Sequence, residues 1–329
     1  MDALPLVFMI IMGLAVLTYV VLDGYDLGVG MLMPAATDAE QSLMVASIGP
    51  FWDANETWLV LGIGILLCAF PVAHGVVLGA LYLPVVAMLI GLMLRGVAFE
   101  LRIKAEGWHR ELWNWLFWAG SFAASFFQGV MLGRYITGFE PGLGYWLFAV
   151  MVGASLCGGY VLLGATWLIY KTEGALRLKS AAWARWGLLW VGLGFALVSL
   201  ATPLVSATVR DKWFDFPRTL ALMLLPAATL AAAAWLWKVT GAMKAGAMGR
   251  DLHPFLAAAA IFTLAFAGLA YSIFPYVVID RLTIWDAAAH PSGLKALLVG
   301  SVLVLPFIAG YTILSYRIFR GKARSGLYD

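Results

Sequence analysis

Apolar residues run along the chain in nine long stretches, with polar or basic residues between them. The stretches cover residues 4–34, 50–71, 75–103, 112–136, 144–171, 184–208, 216–238, 253–277 and 292–317. Their apolar residues are continuous rather than alternating, and about 20 such residues in a helix cross the hydrocarbon core of a bilayer. A segment in lipid also has to satisfy its own backbone hydrogen bonds, which a helix does. The pattern therefore predicts an all-α polytopic membrane protein with about nine transmembrane helices.

The composition agrees with this class. The chain has 329 residues, of which 63% are hydrophobic and 12% are charged, whereas soluble domains have about 25% charged residues. No polar linker or hydrophilic block separates the stretches, so we expect one integral membrane domain over residues 1–329 and no soluble domain. The net charge of +3 is too small to indicate nucleic-acid binding.

The distribution of basic residues predicts the orientation. With the N-terminus outside, fourteen Lys and Arg residues fall on the inner side, six fall on the outer side, and Arg95 lies within the third stretch. The inner residues are Arg102, Lys104, Arg110, Lys171, Arg177, Lys179, Arg185, Lys238, Lys244, Arg250, Arg317, Arg320, Lys322 and Arg324. Because cytoplasmic loops are enriched in Lys and Arg, this count favours an outer N-terminus and a cytoplasmic C-terminus.

Carboxylates lie within the apolar stretches, where each costs about 2.5–3.5 kcal/mol on insertion scales. The first stretch ends in LDGYDLGVG, in which Asp23 and Asp26 are three residues apart and share one helix face. Gly24 and Gly28 form a small-xxx-small pair on a neighbouring face, which lets another helix approach. The two acids are therefore predicted to face the interior of the helix bundle.

Further charges occur at the start of the second stretch and near the end of the third. The second opens with GPFWDANETWL, which contains Asp53 and Glu56, and the third carries Arg95 and Glu100 in RGVAFELR. In the predicted orientation these segments all lie in the cytoplasmic half of the membrane. Carboxylate chains of this kind serve proton relays, so we expect a proton or cation uptake site there.

A purely structural interpretation stays open for the same residues. Proline followed by acids is also favourable at a helix N-terminus, which would account for Asp53 and Glu56. Arg95 would then neutralise one buried aspartate, and Glu100 would lie among the lipid headgroups.

Histidine and cysteine positions argue against a metal centre in this chain. His74, His109, His253 and His290 all map to loops or to the ends of stretches, and a haem held by two buried histidines is hard to build from them. Cys68 and Cys157 are isolated within apolar stretches. With no nucleotide-binding loop or nucleophile–base pair either, we expect no metal site and no catalytic residue here.

Five segments together resemble subunit II of cytochrome bd-type ubiquinol oxidases. They are LDGYDLGVG, GPFWDANETWL, RGVAFELR, FPYVVIDRLTIWDAA at residues 274–288, and the closing YTILSYRIFRGK. The resemblance extends from about residue 19 to residue 322, with the segments in consistent order. The compact loops resemble the cyanide-insensitive branch of the family.

The resemblance implies a multi-pass protein of the bacterial inner membrane. Its partner would be a larger subunit I that holds two haem b groups and one haem d. The complex would oxidise quinol and reduce dioxygen to water, taking up cytoplasmic protons and generating a proton-motive force. Small single-span accessory subunits and a structural quinone in this subunit are left open.

In that family, Trp52, Asp53 and Asp26 correspond to proposed parts of a proton path. We expect Asp53 to be the first acid, Trp52 its neighbour, Asp26 and Asp23 the next acids inward, and Arg95 the counter-charge. Two alternatives remain, namely a purely structural subunit and a secondary transporter that couples protons to a solute.

Overall fold

Thirteen α-helices, one short 3₁₀ helix (Met33–Ala35) and one β-hairpin form the described part of the protein. The computed structural model describes residues 3–244, 249 and 251–324. The helices are α1 (Leu4–Leu32), α2 (Asp38–Ile48), α3 (Trp52–Ala69), α4 (Pro71–Ala80), α5 (Tyr82–Lys104), α6 (Gly107–Ile136), α7 (Leu143–Lys171), α8 (Gly174–Val205), α9 (Ala207–Trp213), α10 (Arg218–Leu222), α11 (Leu224–Lys244), α12 (Leu252–Ile273) and α13 (Pro291–Ile318). Strands β1 (Tyr276–Val278) and β2 (Leu282–Thr283) pair antiparallel.

The predicted membrane spans correspond to these helices. Among the described residues, eight helical segments are long and apolar enough to cross a bilayer, and the bent pair α2 and α3 supplies a ninth if it counts as one span. The all-α polytopic class is therefore confirmed. Large apolar side chains such as Leu204, Phe307 and Leu143 are exposed on the outside of the bundle, as lipid contact requires.

Residues 35–49, which lie between the first two predicted spans, are not a simple connecting loop. Most of this segment is helix α2, which meets α3 at an angle of 51°. Thr37 and Glu40 form a capping box at the start of α2. The capping box gives hydrogen-bond partners to backbone N–H groups of the first turn, which have no partner within the helix. The first turns of α2 are polar, so hydropathy alone does not reveal it.

Two predicted spans are interrupted near a proline. The span at 75–103 divides between α4 and α5, and the span at 216–238 divides between α10 and α11. In each case the earlier helix ends four residues before a proline, Pro84 or Pro226. A proline ring clashes with the carbonyl four residues earlier and donates no backbone hydrogen bond, which explains both breaks.

The bundle has two distinct ends. The "basic end" is the end at which four helices finish, namely α1, α5, α7 and α13. The "hairpin end" is the opposite end, where the two strands lie against the beginning of α1 and the end of α3. Arg250, which the charge count assigned to the inner side, lies outside the described residues, as do the termini of the expected domain 1–329. The side chain of Lys244 is also not described.

Helix α7 is the central helix, because 61% of its most apolar window is buried inside the protein. Its packing against α1 depends on Gly28 and Gly164. A β-carbon at Gly28 would collide with the backbone carbonyl of Tyr160, and one at Gly164 would collide with the backbone at Gly28. The small-xxx-small pair therefore sets the distance between α1 and α7, and the opposite face of α1 is free for polar contacts with α3 and α5.

Asp251 links three segments at the basic end. Its carboxylate accepts hydrogen bonds from Arg177 at 2.7 Å and from Lys322 at 2.7 Å. Partial burial of Asp251 acts to raise its pKa, but the hydrogen bonds from the two basic side chains outweigh this, so its pKa lies below the usual value. The start of α8, the start of α12 and the segment after α13 are thereby held together.

Candidate functional site

The interior face of α1 carries a row of polar side chains. Tyr19, Asp23 and Asp26 follow one another at intervals of four and three residues, so they lie on one side of the helix. Tyr19 is 2% exposed and both aspartates are 0% exposed. The predicted inward orientation of the two acids is what the structure shows.

Asp23 forms a buried ion pair with Arg95 of α5. Arg95 Nη1 donates to Asp23 Oδ1 at 2.8 Å, and the arginine side chain is 1% exposed. The ring of Trp52 lies 5.7 Å from the guanidinium carbon of Arg95 and also packs against Phe99. Trp52 therefore covers the ion pair from the side of α3, and Arg95 supplies the expected counter-charge.

Asp26 is bound by an asparagine that we had not assigned a role. Asn55 Nδ2 donates to Asp26 Oδ2 at 2.8 Å and lies 2.9 Å from Tyr25 Oη. Tyr316 Oη of α13 donates to Asn55 Oδ1 at 3.1 Å and is 2.6 Å from Tyr25 Oη. Helices α1, α3 and α13 thus meet in one hydrogen-bonded group.

The two acids of α3 lie on the approach to this group. Asp53 and Glu56 are in the first turns of the helix; Asp53 is exposed and Glu56 is partly exposed. Glu56 interacts electrostatically with Arg95, Asp23 and Asp53. The structure therefore brings Asp53, Glu56, Asp23, Asp26, Arg95 and Trp52 into one region.

Glu100 is placed differently from the other predicted site residues. Its side chain is exposed on α5. The carboxylates that interact with Arg95 are those of Asp23, Glu56 and Asp26, and no described contact joins Glu100 to them.

A second polar group adjoins Asp23 deeper in the bundle. Gln128 of α6 donates to Tyr19 Oη at 2.6 Å and accepts from Tyr160 Oη of α7 at 2.7 Å. None of these three residues was predicted as functional. The signals available in the sequence were the four-residue interval between Tyr19 and Asp23 and a single glutamine inside an apolar stretch.

Potential metal ligands are dispersed in the described part of the chain. His109 and His290 are exposed, His74 is partly exposed on α4, and His253 is partly exposed at the beginning of α12. No group of three or more His, Cys, Asp or Glu side chains among the described residues could hold a metal ion. The chemistry that the site itself offers is that of carboxylates, phenols, an amide and one guanidinium group.

These features define a class: a polytopic α-helical membrane protein with a buried carboxylate cluster that opens toward one end of the bundle. The sequence profile described as "Cytochrome bd terminal oxidase subunit II" matches residues 4–319. The chain belongs to this family, as the five sequence segments had indicated. Like other members, it is a multi-pass protein of the inner membrane.

Curated relatives cover nearly the same length. Cytochrome bd-I ubiquinol oxidase subunit 2 of Escherichia coli K12 is 27% identical, over 96% of this chain and 94% of the relative. Cytochrome bd ubiquinol oxidase subunit 2 of Bacillus subtilis 168 is 28% identical, over 92% and 91%.

One solved structure shares the fold. A chain of the bd oxidase from Geobacillus thermodenitrificans superimposes with a TM-score of 0.78 and 16% identity, covering 98% of this chain and 100% of that one. At this level of identity the superposition supports the arrangement of helices alone.

Proposed function

We propose that the chain stabilises a larger, haem-bearing subunit I of a quinol oxidase and supplies it with protons from the cytoplasm. Membership of the bd oxidase subunit II family supports the complex as a whole. The haems of the partner would carry out dioxygen reduction, and quinol would be the electron donor. This chain contributes carboxylates and their hydrogen-bond partners.

The proposed orientation places the basic end of the bundle in the cytoplasm. Most Lys and Arg residues lie at that end, which is the distribution found on cytoplasmic surfaces. Asp53 and Glu56 lie near the basic end of α3, because α3 runs from there toward the hairpin end. Protons would therefore arrive from the cytoplasmic side.

The observation that carries the proposal is the decrease in exposure along one connected series of acids. Asp53 is exposed, Glu56 next to it is partly exposed, and Asp23 and Asp26 are fully buried. Buried carboxylates in a membrane are costly, and a chain of them that starts at a surface suits proton transfer. Asp53 would take up the proton, Glu56 would pass it on, and the buried aspartates would receive it.

The ion pair between Asp23 and Arg95 favours a second candidate, a purely structural subunit. In that case the acids would neutralise Arg95 and stabilise helix termini without carrying protons. A secondary transporter using the same acids is argued against by the match to the oxidase family along residues 4–319.

The substitution Asp53→Asn in the assembled complex distinguishes the two candidates. The proposal predicts a decrease in quinol oxidase turnover of at least about tenfold per haem, because proton-transfer groups contribute roughly 10²–10⁴ to rates. Haem content should be unchanged. Asp38→Asn, which alters an exposed acid in the first turn of α2, serves as the matched control.

Turnover is best measured together with the pH change inside vesicles that contain the complex. A structural role predicts either normal turnover in the Asp53→Asn complex or loss of haem together with activity. Either result would exclude Asp53 from proton uptake.

A further inference from the structure

Two tyrosines and a glutamine form a hydrogen-bonded chain that leads to Asp23. Tyr160 of α7, Gln128 of α6 and Tyr19 of α1 are 0%, 9% and 2% exposed. Tyr160 Oη is 2.7 Å from Gln128 Oε1, and Gln128 Nε2 is 2.6 Å from Tyr19 Oη. The three residues lie on three different helices, so the chain exists only in the folded bundle.

The chemistry of the three groups gives the chain a direction. An amide oxygen only accepts hydrogen bonds and an amide nitrogen only donates, while a phenol carries a single proton. Tyr160 therefore uses its proton on Gln128, and this turns the amide nitrogen toward the oxygen of Tyr19. The proton of Tyr19 is left for a different acceptor.

Asp23 offers that acceptor. Its Oδ1 atom binds Arg95, and its buried Oδ2 atom has no hydrogen-bond partner among the described residues. Tyr19 lies about one helical turn before Asp23 on the same side of α1, and its phenol is within electrostatic range of this carboxylate. A buried carboxylate oxygen without a donor costs free energy, so a phenol proton directed at it is favourable.

The other phenols near Asp23 direct their protons to different acceptors. The titratable and charged groups that face Asp23 from the packed helices are Asp26 of α1, Glu56 of α3, Arg95 of α5, Tyr160 of α7 and Tyr316 of α13. The protons of Tyr160 and Tyr316 go to Gln128 and Asn55. Arg95 Nη1 already donates to Asp23 Oδ1, and its buried Nη2 has no hydrogen-bond partner among the described residues. Among these neighbours, Tyr19 is the phenol whose proton can serve Asp23.

We propose that Tyr19 donates to Asp23 and that Gln128 and Tyr160 are positioning residues that hold the Tyr19 hydroxyl in this orientation. The inference rests on the proposed proton path and adds the residues that prepare its innermost acid. With Arg95 on one oxygen and Tyr19 on the other, both carboxylate oxygens of Asp23 have a hydrogen-bond donor. Loss of the hydrogen bond from Tyr160 to Gln128 would let Tyr19 donate its proton to Gln128 instead.

The test uses the assembled oxidase complex with Tyr19→Phe, Tyr160→Phe and both together. We expect Tyr19→Phe to lower turnover per haem about tenfold and Tyr160→Phe about threefold, because hydrogen bonds to charged groups are worth more than ordinary ones. The double variant should equal Tyr19→Phe, since Tyr160 acts only through Tyr19. Tyr135→Phe is the control, because it removes a partly buried phenol that donates to the carbonyl of Val277 at the hairpin end.

A merely structural role of these hydrogen bonds would give different results. Its two losses would multiply in the double variant, or haem content would fall together with turnover, and both outcomes overturn the inference. If Tyr19→Phe does not assemble, Gln128→Leu removes the middle of the chain and should lower turnover per haem by about threefold to tenfold; unchanged turnover there overturns the inference as well.

Comparison with Asp53→Asn separates this inference from the proposed function. Slow turnover in Asp53→Asn with normal turnover in Tyr19→Phe overturns the inference and leaves the proton path in place. Normal turnover in both variants overturns both. Slow turnover in both, with a non-additive double variant, supports both.

Discussion

Arg95 on α5 and Asp23 on α1 form an ion pair of 2.8 Å between residues 72 positions apart in the sequence, with side chains 1% and 0% exposed. Removing two charges from water is costly, and the pair is retained only if its geometry and surroundings compensate for that cost. The ring of Trp52 next to Arg95 adds a cation–π contact. The pair therefore joins two helices at the centre of the candidate site.

Breaking this pair on one side should be strongly destabilising. Arg95→Met leaves Asp23 as a buried charge without its counter-ion, which costs about 3–5 kcal/mol. The measurement is the midpoint of thermal inactivation of the purified complex. Asp23→Asn combined with Arg95→Met should recover part of the loss, because neither charge is then left alone.

The exposed pair between Arg218 and Asp215 provides the control. It has a similar length, 3.0 Å, but lies on the surface with both side chains largely exposed. Arg218→Met should change the midpoint very little, because exposed pairs contribute about 0–1 kcal/mol. Equal effects of Arg95→Met and Arg218→Met would show that burial of the Arg95 pair is not what matters.

Substitution of Gly28 should separate α1 from α7. An alanine β-carbon at this position meets backbone atoms of Tyr160 and Gly164, which cannot rotate away as a side chain would. Overpacking of this kind costs about 1–3 kcal/mol or more, so we expect Gly28→Ala to lower the yield of assembled complex.

Gly64→Ala on α3 is the matched control for Gly28→Ala. No atom lies within 4 Å of the β-carbon that it would add. Since alanine favours helix over glycine by about 1 kcal/mol, this variant should assemble normally or slightly better. Normal assembly of Gly28→Ala would contradict the close approach of α1 and α7.

The features that could be predicted from the sequence are those determined by residues close together in the chain. The spans were predictable because a bilayer imposes a long apolar stretch on each helix. The inward orientation of Asp23 and Asp26 followed from their three-residue interval on α1. Helix α2 was missed because its signal is a capping box and not hydropathy.

The hydrogen-bond partners of the acids could not be predicted from the sequence pattern. Tyr316 and Asn55 are 261 positions apart, and Gln128 and Tyr19 are 109 positions apart. Only the packing of α1, α3, α6 and α13 brings these side chains together. A phenol or an amide in these segments gives no local sign of a partner that is so distant in the sequence.

Asp251 should make the stability of the basic end depend on pH. Its pKa is lowered in the folded protein by Arg177 and Lys322, so its stabilising contribution is present above the pKa of an unfolded aspartate, about 3.9. The contribution is lost as the pH falls through the lowered pKa of the folded state. Asp251→Asn should therefore reduce thermal stability at neutral pH.

The difference between Asp251→Asn and the unchanged protein should remain constant from neutral pH down to about pH 5, and then decrease as the pH falls further. Thermal midpoints of the two proteins measured across this range give the comparison. A difference that grows on acidification would have the wrong sign for a carboxylate with a lowered pKa. Asp215→Asn, at an exposed surface pair, should show a much smaller difference throughout.

Asn55 should be needed for proton transfer through Asp26. Its amide nitrogen donates to Asp26 at 2.8 Å, and its oxygen accepts from Tyr316 at 3.1 Å. Asn55→Leu removes the donor to Asp26 Oδ2 and leaves a buried carboxylate with fewer hydrogen bonds. We expect turnover per haem to fall about tenfold and to become more sensitive to replacement of H₂O by D₂O.

Asn114→Leu is the matched control for Asn55→Leu. Asn114 also links buried helices, since it accepts from Arg102 at 2.5 Å and donates to Gln41 at 2.7 Å, but it lies at the basic end away from Asp26. Its replacement should lower thermal stability and leave turnover per haem and the isotope effect unchanged. If both asparagine variants lose stability alone, Asn55 is a packing residue; if only Asn55→Leu alters turnover and its isotope effect, the amide acts on the proton that passes Asp26.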